Sequence, residues 1–334
     1  MAKIFPLELP KTHQYTPASI SNMYGAAWVA AKYCRLKRAP LILNRHWQHG
    51  WVQQNRQLNP ELVTADYLTN KKYLILVARK DEEEYLLGQG YLAKAIGLPF
   101  VYTLDQRYER IQSSLLVMPC HTSRFVPINF NEDYKIFTNY VLEQKKNFQF
   151  ICVCMHQEDI DLGYGRIWED IGCKVIRGAA VDDANSLIRM HALMSQFETI
   201  LSDVVGSHLV YGAASGAKIS LVQPIGREYD NSKDPFFEDE KSALRKQLDD
   251  IAAMEMDPTR SPYPFLFDKP EKAKQHINWG LDEIGFSNRV GPEELRHLLG
   301  WNFPEILLNK LEYQSNALKV KTKAFLKRKL PPSF

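Results

Sequence analysis

Long apolar runs are missing from this chain. No stretch approaches the ~20 apolar residues that a membrane span requires. Cysteine is scarce: Cys34, Cys120, Cys152, Cys154 and Cys173 are all there is in 334 residues. An odd number of cysteines, mostly inside apolar runs, argues against a disulfide scaffold and fits reduced, buried thiols. No zinc-type Cys/His spacing occurs, and neither a Walker loop nor a Gly-x-Gly-x-x-Gly turn is found. Charge of one sign is lacking too. The net charge of +3 is too small to imply nucleic acid as a partner. The opening Met-Ala-Lys-Ile-Phe-Pro-Leu-Glu has no apolar core of the signal-peptide kind, so a cytoplasmic location is expected. Internal repeats and low-complexity tracts are also missing.

What is present is a chain with 45% hydrophobic and 24% charged residues, as a packed protein of about two domains would have. Helical spacing over Ser21–Lys37 is followed by apolar segments at 40–43, 73–78 and 98–104, which read as strands. A charged stretch from Arg79 to Glu84 opens a helix that continues over 85–96 and stops at Gly97. Arg79 itself reads as an ion-pair partner of the acids that follow it. Residues 127–135 read as a connection. Strands at 148–155, 173–177, 199–201 and 217–222 then alternate with helices at 134–143, 164–171, 184–197 and 208–215. This β-α-β rhythm predicts parallel sheets covered by helices. Later helices are expected over 240–256 and 271–281, and another from Pro292, a residue suited to the first helical position. The last region, 302–330, is Leu-rich and then basic. Six of residues 319–329 are Lys or Arg, and Leu311, Leu318 and Phe325 make one apolar stripe. Such a tail suits anionic lipid headgroups, or else it is simply solvated.

Chemistry is expected where strands run into polar clusters, because ligands of parallel sheets gather there. The first cluster is Asn44–Trp51. Within it His46 and His49 are candidates for substrate contact or general-base work, since imidazole titrates near neutral pH; the alternative is a packed turn. The second is His121-Thr122-Ser123-Arg124, after the apolar run that ends at Met118. It offers three kinds of phosphate donor in succession. The third is the turn from Ser202 and Asp203 through Gly206, Ser207 and His208, leading into a helix of small residues that carries Tyr211 and that Gly216 stops. A tight strand-to-helix turn presents backbone N–H groups at the positive end of the helix dipole, which favours anions. The competing reading is ordinary close packing. Asp159-Ile160-Asp161 matches a three-residue metal-binding pattern but reads better as a solvated loop, and no metal site is expected. His191 reads as a core residue.

In order, His-Gly-Trp at 49–51, Met-Pro-Cys-His-Thr-Ser at 118–123 and Ser-Asp-Val-Val-Gly-Ser-His-Leu-Val-Tyr at 202–211 resemble bacterial surface-polysaccharide (capsule or O-antigen) glycosyltransferases of the GT-B type. Val-Gly-Pro-Glu-Glu-Leu-Arg at 290–296 is similar to the late part of such proteins. The resemblance covers about residues 40–300 and implies two facing Rossmann-like domains. An acceptor domain would span 1–130, a nucleotide-sugar domain 131–300, and a basic helical tail 301–334. It implies metal-independent transfer of a sugar from a nucleotide-sugar donor to a surface-polysaccharide or lipid-linked glycan, with no further cofactor and with peripheral attachment to the inner face of the plasma membrane. His49 and His121 would be catalytic. Thr122, Ser123, Arg124, Ser202, Asp203, Gly206, Ser207, His208 and Tyr211 would bind the donor. The His-Pro motif of GT-B sialyltransferases is not reproduced, because Thr122 follows His121, and the paired glutamates of many retaining enzymes find no match. A nucleotide-sugar 2-epimerase of the same fold and a non-catalytic sugar-phosphate-binding scaffold are the alternatives.

Overall fold

Two parallel sheets, of three and five strands, organise the protein. The computed structural model describes residues 7–17, 19–51, 71–121, 132–222 and 253–302. The first sheet has the order β1-β2-β3, from β1 (Arg45–Trp47), β2 (Leu74–Val77) and β3 (Leu92–Ala95). The second runs β6-β5-β4-β7-β8, from β4 (Ile111–Met118), β5 (Phe150–Met155), β6 (Lys174–Arg177), β7 (Phe197–Ser202) and β8 (Lys218–Leu221). All pairings between strands are parallel. From β4 the chain moves outward to β5 and β6, then returns to the other side of β4 for β7 and β8. The strand order therefore reverses between β4 and β7, which is where open α/β sheets leave a crevice at their carboxyl ends.

The packing follows the period-two alternation of strands. On β4 and β5, Leu115, Val117, Ile151 and Val153 face a core closed by Phe137 and Val141 of α3 (Glu132–Glu143) and by Trp168 of α5 (Gly165–Asp170). Leu116, Met118, Cys152 and Cys154 face the other way, into a larger core. That core is shared by the two sheets. It includes Trp47 and Leu76 of the first sheet and Ile200 of the second, with α1 (Ala26–Tyr33), Phe100 and α6 (Ser186–Gln196) between them. His191 of α6 is buried here, edge-on to Phe100 and Tyr108, as a core residue. All five cysteines are free and buried. Burial pushes the Cys152 and Cys154 thiols up to about 12, so they pack as apolar groups and not as nucleophiles.

Several local expectations are corrected. The helix over 21–37 is broken: a 3-10 turn, Ile20–Gly25, precedes α1, and Tyr24 and Gly25 take left-handed φ of 56° and 78°. A Cβ on Gly25 would strike the Ala184 carbonyl, so this turn packs backbone against backbone. The strand expected at 40–43 lies instead at β1, inside the polar cluster, so His46 sits within a strand. The helix expected over 85–96 stops early: α2 (Lys80–Gly88) ends, Gly90 turns the chain at φ 79°, and Leu92–Ala95 pairs with β2. The apolar run 98–104 is a buried 3-10 helix, Pro99–Thr103, with Pro99 at its start. Asp159-Ile160-Asp161 ends α4 (Gln157–Asp161) and is not a loop; Asp159 is buried there. The helix expected over 271–281 is α8 (Ile277–Glu283), and α9 (Pro292–Leu298) begins at Pro292. The strand that leads to His121 is hydrogen bonded between β5 and β7, so the second sheet begins by residue 111 rather than beyond 130. The basic residues 319–329, the segment 225–239 and most of 240–256 lie outside the described residues.

Candidate functional site

The crevice between β4 and β7 holds a cavity of about 460 Å³. That lies within the range of small-ligand sites, roughly 300–1,000 Å³. Every parallel strand that ends beside it contributes. The segment after β1 brings His49, Gly50 and Trp51. After β4 come Pro119, Cys120 and His121, after β5 His156, after β6 Gly178, and after β7 Val204 to His208. Met118, Met155, Met190 and Met194 supply much of the apolar wall. Methionine there gives a polarizable surface that adapts to a ligand's shape. Among the described residues no Asp, Glu, Lys or Arg lines the cavity, and its titratable groups are mainly four imidazoles, those of His49, His121, His156 and His208.

Helix α7 (Ser207–Ala214) roofs the site, and its small residues explain how it gets there. A Cβ on Gly212 would come within 2.5 Å of Ile200 and 3.0 Å of Ile219, so the helix lies directly on β7 and β8. Gly280 of α8 packs against Val210, Ala213 and Ala214 from the other side. Gly216 stops the turn with φ 83°. Packing thus accounts for the far half of α7, while its first turn, Gly206 to His208, borders the cavity.

His208 is held from below. Its Nε2 is 2.7 Å from Ser202 Oγ, and that hydroxyl donates to the Met118 carbonyl at 2.8 Å. A hydroxyl has one proton to give, so Nε2–H is the donor to Ser202 and Nδ1 is the basic nitrogen, a tautomer assigned from the network. Burial lowers the His208 pKa to about 4, the charge of His121 adds to this, and the Val204 carbonyl opposes it. The ring is therefore neutral at pH 7. Asp203 is buried and accepts the Cys120 N–H at 2.7 Å. Ser202 and Asp203 thus knit the ends of β4 and β7 together beneath the cavity and do not line it.

Ser207 and Tyr211 line the cavity and also grip the segment from the first sheet. Ser207 Oγ accepts the Trp51 N–H at 2.9 Å, and the Tyr211 hydroxyl donates to the His49 carbonyl at 3.3 Å. The Tyr211 ring stacks on Phe100 with centroids 4.0 Å apart, and burial raises its pKa. The Trp51 indole donates to Glu283 of α8 at 2.6 Å. Glu283 in turn pairs with Arg79, which also bonds Asp81 at 3.1 Å and so meets the acids that follow it. Tyr24 stacks near His49, with centroids 6.0 Å apart.

His121 and His156 stack with ring centroids 4.9 Å apart and planes at 23°. His156 also caps α4, its Nδ1 accepting the Glu158 N–H at 3.4 Å. Burial first, then the charge of His121, lower the His156 pKa; Glu158 pulls it back up, and Arg177 lowers it by less than that. The arrangement can donate hydrogen bonds to an anion and accept a proton from a hydroxyl.

His49, His121, Gly206, Ser207, His208 and Tyr211 are therefore brought to one cavity. Thr122, Ser123 and Arg124 lie outside the described residues. His46 is turned elsewhere, tilted against Tyr73. His156, Trp51 and Tyr24 are additional wall residues. His156 carried the same signal as His121, a polar residue directly after an apolar strand, whereas nothing local marks Tyr24. Among the described residues no group of three His, Cys, Asp or Glu side chains is arranged to hold a metal ion. Comparison with protein-family models, with curated proteins and with solved structures gives no match.

Proposed function

We propose that this protein is a GT-B-like glycosyltransferase and that the cavity between β4 and β7 holds its nucleotide-sugar donor. The observation that carries the reading is the cavity's place at the reversal of strand order, roofed by the first turn of α7 and walled by imidazoles from both sheets. Donor phosphate sits at Gly206–His208, where backbone N–H groups and the helix dipole favour negative charge. An imidazole, that of His121 or His49, takes the proton of the acceptor hydroxyl. The acceptor oxygen bonds to the anomeric carbon, the bond from that carbon to the donor phosphate breaks, and the charge left on the phosphate is met by the α7 turn. The apolar methionine wall excludes water and so suppresses donor hydrolysis. The acceptor is a surface glycan or lipid-linked glycan, and the basic segment 319–329 carries the protein to an anionic membrane face.

Thermal unfolding against a panel of nucleotides and nucleotide sugars tests the first step, because a ligand that binds the folded state raises its stability. One nucleotide sugar is expected to raise the melting temperature and to be consumed only when a glycan acceptor is added. Turnover of the donor alone to an isomer would replace transfer by epimerisation. Binding without turnover under every acceptor would leave a scaffold, and no thermal response to any nucleotide would remove the reading.

A further inference from the structure

We propose that His121, His156 and Arg177, at the ends of β4, β5 and β6, form a second anion-binding subsite that takes a phosphate group separate from the one at the start of α7. The inference depends on the cavity being a ligand site and not on sugar transfer. Three neighbouring parallel strands end here. Strands lie about 4.8 Å apart, so residues at three successive ends span about 10 Å, a width from which three donors can converge on one tetrahedral anion.

The two imidazoles are presented together by their stacking. The Glu158 N–H occupies His156 Nδ1, so the proton of the neutral ring is on Nε2, which is left to donate. Arg177 is the last residue of β6 and stands opposite Met155 in the register, one residue before His156; Gly178, which follows it, lines the cavity. The Arg177 Nε is shielded from solvent and has no hydrogen-bond partner among the described residues. Asp182 Oδ1 lies 3.9 Å from Nη2, with the two side chains 33% and 40% exposed. The ionisable groups that bear on His156 are His121 and Arg177, which disfavour its protonation, and Glu158, which favours it. Three groups that repel one another when charged, together with an unpartnered guanidinium N–H, are what a bound anion would reconcile. The substrate class follows: a molecule with a phosphate or diphosphate group reaching past His121 toward β6, in addition to any group at Gly206–His208.

The test uses the full chain labelled with 15N and titrated with inorganic phosphate and with pyrophosphate at pH 7.5, read by imidazole 1H–15N correlations. Saturable movement of the His121 and His156 signals is expected. Arg177→Gln should weaken phosphate binding by about tenfold or more, and Arg177→Lys should restore part of it. His208→Asn should leave the response of His156 in place. Phosphate that moves only the His208 signal, wild-type affinity in Arg177→Gln, or no binding of either anion would overturn the proposal. Loss of sugar transfer with these shifts intact would remove only the reading of the preceding section.

Discussion

His208 Nε2 rests 2.7 Å from the hydroxyl of Ser202, which is itself anchored to the Met118 carbonyl. The contact ties the imidazole at the cavity's roof to the mouth between β4 and β7. Ser202→Ala should therefore lower unfolding stability by about 1–2 kcal/mol, since two partners lose a buried hydroxyl. It should also weaken donor binding. His208→Ala should leave the fold in place and weaken the donor far more. Urea unfolding and calorimetry with the nucleotide sugar check the pair, and unchanged donor affinity in His208→Ala would remove His208 from the site.

Stability should fall on the acid side. Burial holds His208 and His191 near about 4, below the 6.5 of an unfolded imidazole. Between those values the unfolded chain binds more protons, so the folded state loses about 1.4 kcal/mol per pH unit for each such group as pH drops. The contribution is fully present above pH 6.5 and gone below 4. Carboxylates held low by their partners, such as Glu198 beside Lys218, add their own loss at still lower pH. The His191→Gln variant should show a shallower decline than wild type between pH 6.5 and 4.5 in urea unfolding.

Gly280 of α8 has no room for a side chain, because a Cβ there would meet backbone and side-chain atoms of Val210, Ala213 and Ala214. Gly280→Ala should push α8 off α7 and cost several kcal/mol, on the order of 2–4, as overpacking and backbone shift combine. Thermal unfolding measures it. Gly88→Ala, where a Cβ meets nothing within 4 Å, is the contrasting substitution and should be close to neutral or stabilising.

Arg79 is buried with acids around it: Asp81 and Glu82 on its own helix and Glu283 on α8. Arg79→Met should cost about 3–5 kcal/mol, because Glu82, itself buried, and Glu283 both lose the guanidinium they share. Adding Glu283→Gln to that variant should return part of the loss. A double-mutant cycle by chemical unfolding reads the coupling, and additive losses would show that the pair does not act as one unit.

The elements that sequence reading recovers are those with a period or a stop of their own. β4 and β5 are short apolar runs that end in polar clusters, and α7 is bounded by Gly206 and Gly216. Leu92–Ala95 reads as helix because its strand identity comes from pairing with Leu74–Val77, a partner fixed only by the fold. The run Pro99–Thr103 is buried on every side and so has no period to read. Within the site, His121 and His208 stand out because they follow apolar strands. Tyr24 reaches the cavity through a left-handed turn, and Arg177 stands beside Met155 through strand register. Neither relation is written locally. Composition marks Ser202 and Asp203 but does not tell a ligand contact from a brace between two strands.

Trp51 is secured by partners far along the chain: Ser207, 156 positions later, and Glu283, 232 positions later. During synthesis the first sheet and this tryptophan emerge well before either partner exists. The cavity is therefore a late product of folding, and its Trp51 wall is anchored only when α8 arrives. Until then the nascent chain presents an indole without its carboxylate partner, which invites aggregation or chaperone capture. Slow loop closure over such separations should set the pace of maturation.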